Sequence, residues 1–207
     1  MFKKQLFQIF LINFVIVMVI LSPFLPGPSS LSSITNTIHT IAQFSGIFLL
    51  IAIPIGVLVT IRERVRNQKI SLFSLLLWII PVTVFCVSIF GAYPARNFSR
   101  KIAIQNASSI IQAIETYYEV YKKYPDQLSD LKPAFLKQLP STGVMGISTY
   151  QYEKRDSSFA VIFTQNVLAG FNKEIVSYDP RHQYSADDSL NQVYPAGKNK
   201  WQYYILD

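Results

Sequence analysis

Three apolar runs occupy the first ninety-two residues and limit what the chain can become. Leu6 to Leu25 is interrupted by polar side chains only at Gln8, Asn13 and Ser22. At 1.5 Å per residue such a helix covers about 30 Å, the hydrocarbon thickness of a bilayer. Ile38 to Ile61 and Ile70 to Phe90 form the second and third runs. Hydrocarbon offers no partner to backbone N–H and C=O groups, so each run is expected to be a transmembrane helix (6–25, 38–61 and 70–90). For the first run the alternative is a cleaved signal peptide. Its apolar stretch is long for that role, and no A-x-A site precedes Pro26-Gly27-Pro28.

Charge is divided unevenly. Residues 1–92 hold Lys3, Lys4, Arg62, Arg64, Arg66 and Lys69 against the single acid Glu63, whereas residues 93–207 are nearly balanced. Basic residues beside apolar spans resist translocation, so the amino terminus and the loop 62–69 are expected on the cytoplasmic side. The uncharged link from Pro26 to Thr37 then lies outside, as does everything after Tyr93. Because the basic excess is juxtamembrane, nothing resembles a phosphate-tracking stripe, and no nucleic-acid partner is expected. The bilayer is the first expected partner.

No acid or base sits deep within the spans, which argues against a transporter or channel. His39 and Gln43 fall in the first turns of the second run and are expected at the interface. Pro54 and Pro81 are expected to kink their helices, and Gly46 and Gly56 lack the four-residue spacing of a tight helix-pair motif. Cys86, the only cysteine, lies in the third run, so residues 93–207 must hold together by packing.

Beyond the segment Gly91-Ala92-Tyr93-Pro94, expected to break the chain, apolar or small residues recur at Ala103, Ala107, Ile110, Ile111, Ile114, Tyr117, Tyr118 and Tyr121. Steps of three and four make one stripe of an α-helix, expected to begin near Ser99 and to stop before Pro125. Leu128, Leu131, Phe135, Leu136 and Leu139 follow, with Pro133 suiting the first turn of a small helix. The period then changes to two. Tyr150 and Tyr152 alternate with Gln151 and Glu153, and Phe159, Val161 and Phe163 follow the turn Arg155-Asp156-Ser157-Ser158, which predicts an antiparallel hairpin. Glu174 to Tyr178 and Trp201 to Leu206 read as two more strands. The expected fold class is α+β: three transmembrane helices (residues 1–92), then a domain (93–207) with a long helix on a sheet of three or four antiparallel strands.

The series Tyr117-Tyr118-Glu119-Val120-Tyr121-Lys122-Lys123-Tyr124-Pro125, the Leu-rich stretch to Pro140 and the Tyr150-Gln151-Tyr152 strand resembles the globular part of type IV pilins and major type II secretion pseudopilins. That resemblance covers residues 95–207 and implies a helix packed on a three- or four-stranded sheet. The chain departs from those families in having three spans, no basic leader with its cleavage-site glycine, and no Phe-Thr-Leu-Ile-Glu-like run. Pilins also carry a span continuous with the globular helix, which the Gly91 to Pro94 segment argues against here. A pilin-type domain reused on a polytopic anchor is the implied architecture, and a bacterial cytoplasmic membrane the implied location.

Few residues suggest chemistry. Catalysis through a hydroxyl or thiol needs a base beside it, and residues 93–207 hold no Cys and one His, His182. Two His and one Cys on separated segments cannot build a zinc site. Asp179, Asp187 and Asp188 share a late loop whose oxygens would suit calcium, a binding that the resemblance also implies for a comparable loop in major pseudopilins. Asn97-Phe98-Ser99 and Asn106-Ala107-Ser108 match glycosylation sequons, the second hindered by Ala107 on the buried stripe. The clustered tyrosines suit core packing with hydroxyls at the rim. The sequence therefore nominates no catalytic, cofactor-binding or metal residue. It implies a non-enzymatic membrane protein that contacts an envelope partner through the sheet face or the loop from Asp179 to Lys200. Membership of a pilus or secretion machine is the alternative, and a membrane-anchored enzyme, which would need a convergent polar pocket, is the third class.

Overall fold

The computed structural model describes residues 2–181, 192–197 and 200–206. Helix α1 (Phe2–Ile20) leads through two 3-10 turns to α2 (Ser32–Leu49) and α3 (Ala52–Val65). These last two are one apolar path bent by 56°. Pro54 supplies no N–H to the Leu50 carbonyl. The chain there tightens into three-residue bonds, from Leu50 N to Ile47 O and from Ile51 N to Phe48 O. The expected kink at Pro54 is thus a full break, whereas α4 (Leu72–Cys86) continues through Pro81.

Two helical segments are long and apolar enough to cross a membrane, Lys3–Ile20 and Leu72–Tyr121, and the bent pair makes a third candidate span. Inter-helix contacts follow the rules of apolar bundles, in which small residues admit close approach and polar groups bond across helices. A Cβ on Gly56 would lie 3.0 Å from the Trp78 backbone nitrogen, and one on Gly46 would lie 3.3 Å from Phe85 Cα. Each glycine therefore seats its own helix against α4 without a shared motif. Thr83 Oγ1 donates to Asn13 Oδ1 at 2.6 Å, joining α4 to α1.

The break expected at Gly91 to Pro94 does not occur. Leu72 to Tyr121 is one helical path of 50 residues, in which α4, a π-turn (Val87–Gly91), α5 (Ala92–Asn106) and α6 (Ser108–Tyr121) follow one another. Pro94 lacks an N–H for the Phe90 carbonyl and would normally end a helix, but the wider turn just before it shifts the bonding pattern and accommodates the ring. Ser99, expected as an N-cap, is instead buried in mid-helix. The path ends at Lys122, in the left-handed conformation, three residues before Pro125.

Five described strands form the sheet: β1 (Gln151–Lys154), β2 (Phe159–Leu168), β3 (Asn172–Tyr178), β4 (Tyr194–Pro195) and β5 (Trp201–Leu206). Their order is β1-β2-β3-β5-β4 with every pair antiparallel. The short β4 exceeds the expected three or four strands, and β2 runs further than its alternation signalled. Arg155 N donates to Ser158 O in the expected turn.

Ala103, Ala107, Ile110 and Ile114 pack on Phe159, Val161, Phe163, Val176 and Trp201, all buried. Leu131, Val144 and Ile147 seal this core. The small helix expected around Pro133 is a 3-10 turn, Leu128–Leu131, that ends before it; Leu128, Phe135 and Leu136 still pack on the core, and Leu139 is exposed.

The link between α1 and α2 is woven into the sheet side. Gly27 N donates to Gly143 O, Met145 N to Leu25 O and Gly146 N to Pro23 O, while Asn36 Nδ2 donates to Gly146 O. At the far end Gln5 Nε2 donates to Ile70 O. The start of α1 and the α3–α4 loop therefore share one end of the helices, and the sheet lies at the other.

Candidate functional site at the junction of helix and sheet

Extended backward, the buried stripe of the long helix meets charge. Arg96 and Arg100 continue the steps of three and four that lead to Ala103, Ala107, Ile110 and Ile114, so α5 turns both arginines toward the sheet. They meet Glu174, at the start of β3. Arg96 Nε donates to Glu174 Oε2 at 2.9 Å. Arg100 approaches bidentately, from Nε to Oε1 and from Nη2 to Oε2, both at 2.7 Å. Glu174 is 0% exposed and the two arginines 6% and 7%.

Neutral groups complete the network. Gln165 Nε2 donates to Glu174 Oε1 at 2.7 Å, and its Oε1 lies 2.6 Å from Ser99 Oγ. The Arg100 guanidinium sits 3.7 Å from the centre of the Tyr203 ring, in the position for cation–π attraction. Every oxygen of the carboxylate thus has two donors, which a buried charge requires. Two cations against one anion leave a local excess of positive charge, spread over aromatic faces. With both carboxylate oxygens bonded to groups of α5 and β2, the cluster clamps the helix against the sheet.

His39 and Gln43, expected at the interface, are both buried. His39 Nδ1 lies 2.8 Å from Ile20 O, tying α2 to the end of α1. Gln43 bridges three segments: its Nε2 donates to Ser88 O in the π-turn at 3.1 Å and reaches Val167 O at 3.4 Å, while its Oε1 accepts from Ala169 N. A polar side chain on an apolar helix is here the tie between that helix and the β2–β3 hairpin.

Among the described residues, the other side chains singled out in the sequence do not converge on one site. Asp179 is buried, and its Oδ2 accepts from Arg155 Nη1 at 2.6 Å while its Oδ1 accepts from Arg181 N. Its oxygens serve the protein, and Asp187, Asp188 and His182 lie outside the described residues. Among the described residues no group of three His, Cys, Asp or Glu side chains is placed to hold a metal ion. Asn106 Nδ2 donates to Thr142 O, which occupies the amide of the second sequon. Tyr150 and Tyr178 are buried in the core, Tyr117, Tyr124, Tyr152 and Tyr203 pack against it, and Tyr118 and Tyr121 are exposed. Tyr150 donates to Ala103 O and Tyr152 to Pro125 O. Burial pushes the Tyr150 phenol upward and that of Tyr178 up to about 12. The Lys154 ammonium, 2.6 Å away, holds the Asp126 carboxyl below its ordinary value.

One concavity of about 300 Å³ on the sheet side is lined by Ile110, Leu128, Leu139, Pro140, Ser148 and Tyr150 among others. Another, of about 510 Å³, is walled by Gln105, Asn106, Ser108, Ser109, Pro140 and Ser141. Among the described residues, neither wall carries an imidazole, thiol or carboxylate. The sequence reading misses the arginine–glutamate clamp because Arg96 falls before the helix start expected near Ser99 and Arg100 in its first turn, ahead of the apolar stripe. The stripe spacing was the available signal.

No known protein family matches the chain, and neither a curated protein nor a solved structure matches it.

Proposed function

We propose that the chain is a non-enzymatic, multi-pass protein of a bacterial cytoplasmic membrane, presenting residues 93–207 outside for contacts with another envelope protein. Lys3, Lys4 and the Arg62 to Lys69 loop lie at one end of the apolar helices and the sheet at the other, as an inward-facing positive end requires. Glu63, near the end of α3, ties that helix to the start of α4. Its Oε2 accepts from Ser74 Oγ at 2.7 Å and from Ser71 N at 3.0 Å.

The observation that carries the reading is the uninterrupted helical path from Leu72 to Tyr121, braced by the backbone bonds of the Leu25 to Gly27 segment to Gly143 and Met145. A display domain joined by a rigid helix and a second brace holds its sheet at a fixed height above the bilayer, which suits a docking surface better than a tethered enzyme. The test is photo-crosslinking in native membranes from positions on the outer domain such as Gln112, Glu119 and Gln151. A discrete adduct with an envelope protein is expected; adducts with lipid alone would overturn the reading.

The second reading, an accessory component of a pilus or type II secretion machine, gains from that same continuous helix. Continuity of span and globular helix is the pilin feature the sequence had argued against. A deletion strain that assembles normal pili and secretes normally would remove it.

A further inference from the structure

The β2–β3 hairpin ends in an apolar tip that the sheet does not bury. Leu168 is 47% and Phe171 76% exposed, and Leu206, in register with Lys173 on the neighbouring strand, is exposed beside them. In water such a tip would be unfavourable, because each exposed apolar side chain forgoes the transfer energy of burial. It does not project freely. The Phe171 ring meets the Phe44 ring of α2 edge to face, with centroids 5.9 Å apart, and Gly170 lies against Thr40.

Depth follows from Gln43, whose side chain holds Ala169 N and Val167 O at the tip and Ser88 O in the long helix. Ser88 is roughly 24 Å along the helix from Leu72 at 1.5 Å per residue, within an apolar layer about 30 Å thick. Phe90 and Tyr93, both exposed, lie further along the same path. The tip is therefore level with the last apolar turns of the candidate spans, continuous with the outward faces of Phe44 and Phe48.

We infer that Leu168 to Phe171 is a lipid-binding wedge, seated in the outer leaflet beside α2 and anchored by Gln43. Backbone at membrane depth has to satisfy its polar groups within the protein. The Gln43 amide does this for the tip, taking Ala169 N and supplying a donor toward Val167 O. The π-turn contributes by presenting the Ser88 carbonyl to the same amide. Lys173, exposed next to the tip, is placed to reach phosphate headgroups with its ammonium. The occupant is the acyl and headgroup region of the bilayer itself. This inference rests on the proposed embedding of the apolar helices.

The test uses the full chain with Cys86→Ser, in phosphatidylcholine nanodiscs, carrying an environment-sensitive fluorophore at Phe171→Cys. Leu168→Cys is the second tip variant, Phe73→Cys the reference within α4, and Gln112→Cys the reference on the outer domain. Nitroxide lipids labelled near the headgroup and aqueous iodide are the two quenchers. Expected is a blue-shifted emission at both tip positions with nitroxide quenching comparable to that at Phe73, and iodide quenching only at Gln112. Iodide quenching at the tip, with Phe73 still quenched by lipid, overturns the wedge and leaves the membrane reading intact. Shielding of the tip from both quenchers overturns it in favour of a protein cover. Absence of lipid quenching at Phe73 as well would remove the membrane reading and the wedge together.

Discussion

Between Leu72 and Gly91 the long helix turns Phe73, Val82 and Phe90 outward and keeps Ser74 and Ser88 inside; between Ala92 and Tyr121 it buries Ala103, Ala107, Ile110 and Ile114 and exposes Lys101, Gln105, Gln112, Glu115 and Glu119. One helix thus uses opposite packing rules at its two ends. In water, association is driven by removing apolar surface, so the stripe faces the sheet. In lipid that driving force is absent, and small residues, close contacts and buried polar bonds hold helices together. The change of rule falls at the π-turn and at Arg96 and Arg100, where polar groups still face inward but now as ion pairs.

The largest expected effect lies at that crossover. Glu174→Ala leaves two arginines buried without their carboxylate, and removing one partner from such a cluster costs about 3–5 kcal/mol. Denaturant unfolding of the full chain in micelles, followed by near-UV circular dichroism of the aromatic core, measures it. A loss below 1 kcal/mol would mean that the cluster is solvated and that the crossover has no clamp.

The next test compares the two ends directly. Ile114→Ala opens a cavity in the water-facing core and should cost about 2–5 kcal/mol. Phe73→Ala, on the outward face of the apolar half, should stay within about 0.5 kcal/mol in the same assay. Equal losses would erase the contrast between the halves.

Gly56→Leu probes the rule for lipid. The new side chain must displace Trp78 or part α3 from α4, and overpacking of this kind costs typically about 1–3 kcal/mol. Resistance to detergent-induced unfolding reads it out, and an unchanged midpoint would show that these helices do not depend on close approach.

The smallest effect is a pH dependence confined to the sheet side. In the folded state the phenols of Tyr150 and Tyr178 ionise only above their ordinary value near 10, so the unfolded chain loses those protons first as pH rises. Their contribution to stability is complete below pH ~10 and declines above it toward about 12. Thermal melting should show the aromatic-core signal falling to lower temperature across that window while helix content in the apolar half stays constant. A simultaneous loss of both signals would contradict separate packing rules.

Much of this architecture was legible because both periodic signals are strong. Apolar runs of twenty residues and the 103–114 stripe leave few alternatives, and alternation at Tyr150 to Glu153 and Phe159 to Phe163 locates the first hairpin. What escaped was coupling between distant segments. Pro94 reads locally as a helix stop, and only the preceding π-turn reverses it. His39 and Gln43 read as interfacial because they fall in the first turns of the second run, yet they are buried because α1 and the β2–β3 hairpin come to meet them. Arg96 and Arg100 carry no local sign of their partner, because Glu174 is distant in sequence and only the fold brings it between them. The two-residue β4 carries no periodicity at all.

The central claim, that Leu72 to Tyr121 begins in lipid and ends outside the cell, is tested most directly by labelling single cysteines in a Cys86→Ser background with a membrane-impermeant maleimide. In intact cells with a permeable outer barrier, labelling is expected at Lys101→Cys, Gln112→Cys and Glu119→Cys, none at Phe73→Cys or Val82→Cys, and at Arg64→Cys only after lysis. Labelling of Arg64→Cys from outside, with Lys101→Cys and Gln112→Cys reached only after lysis, would contradict it.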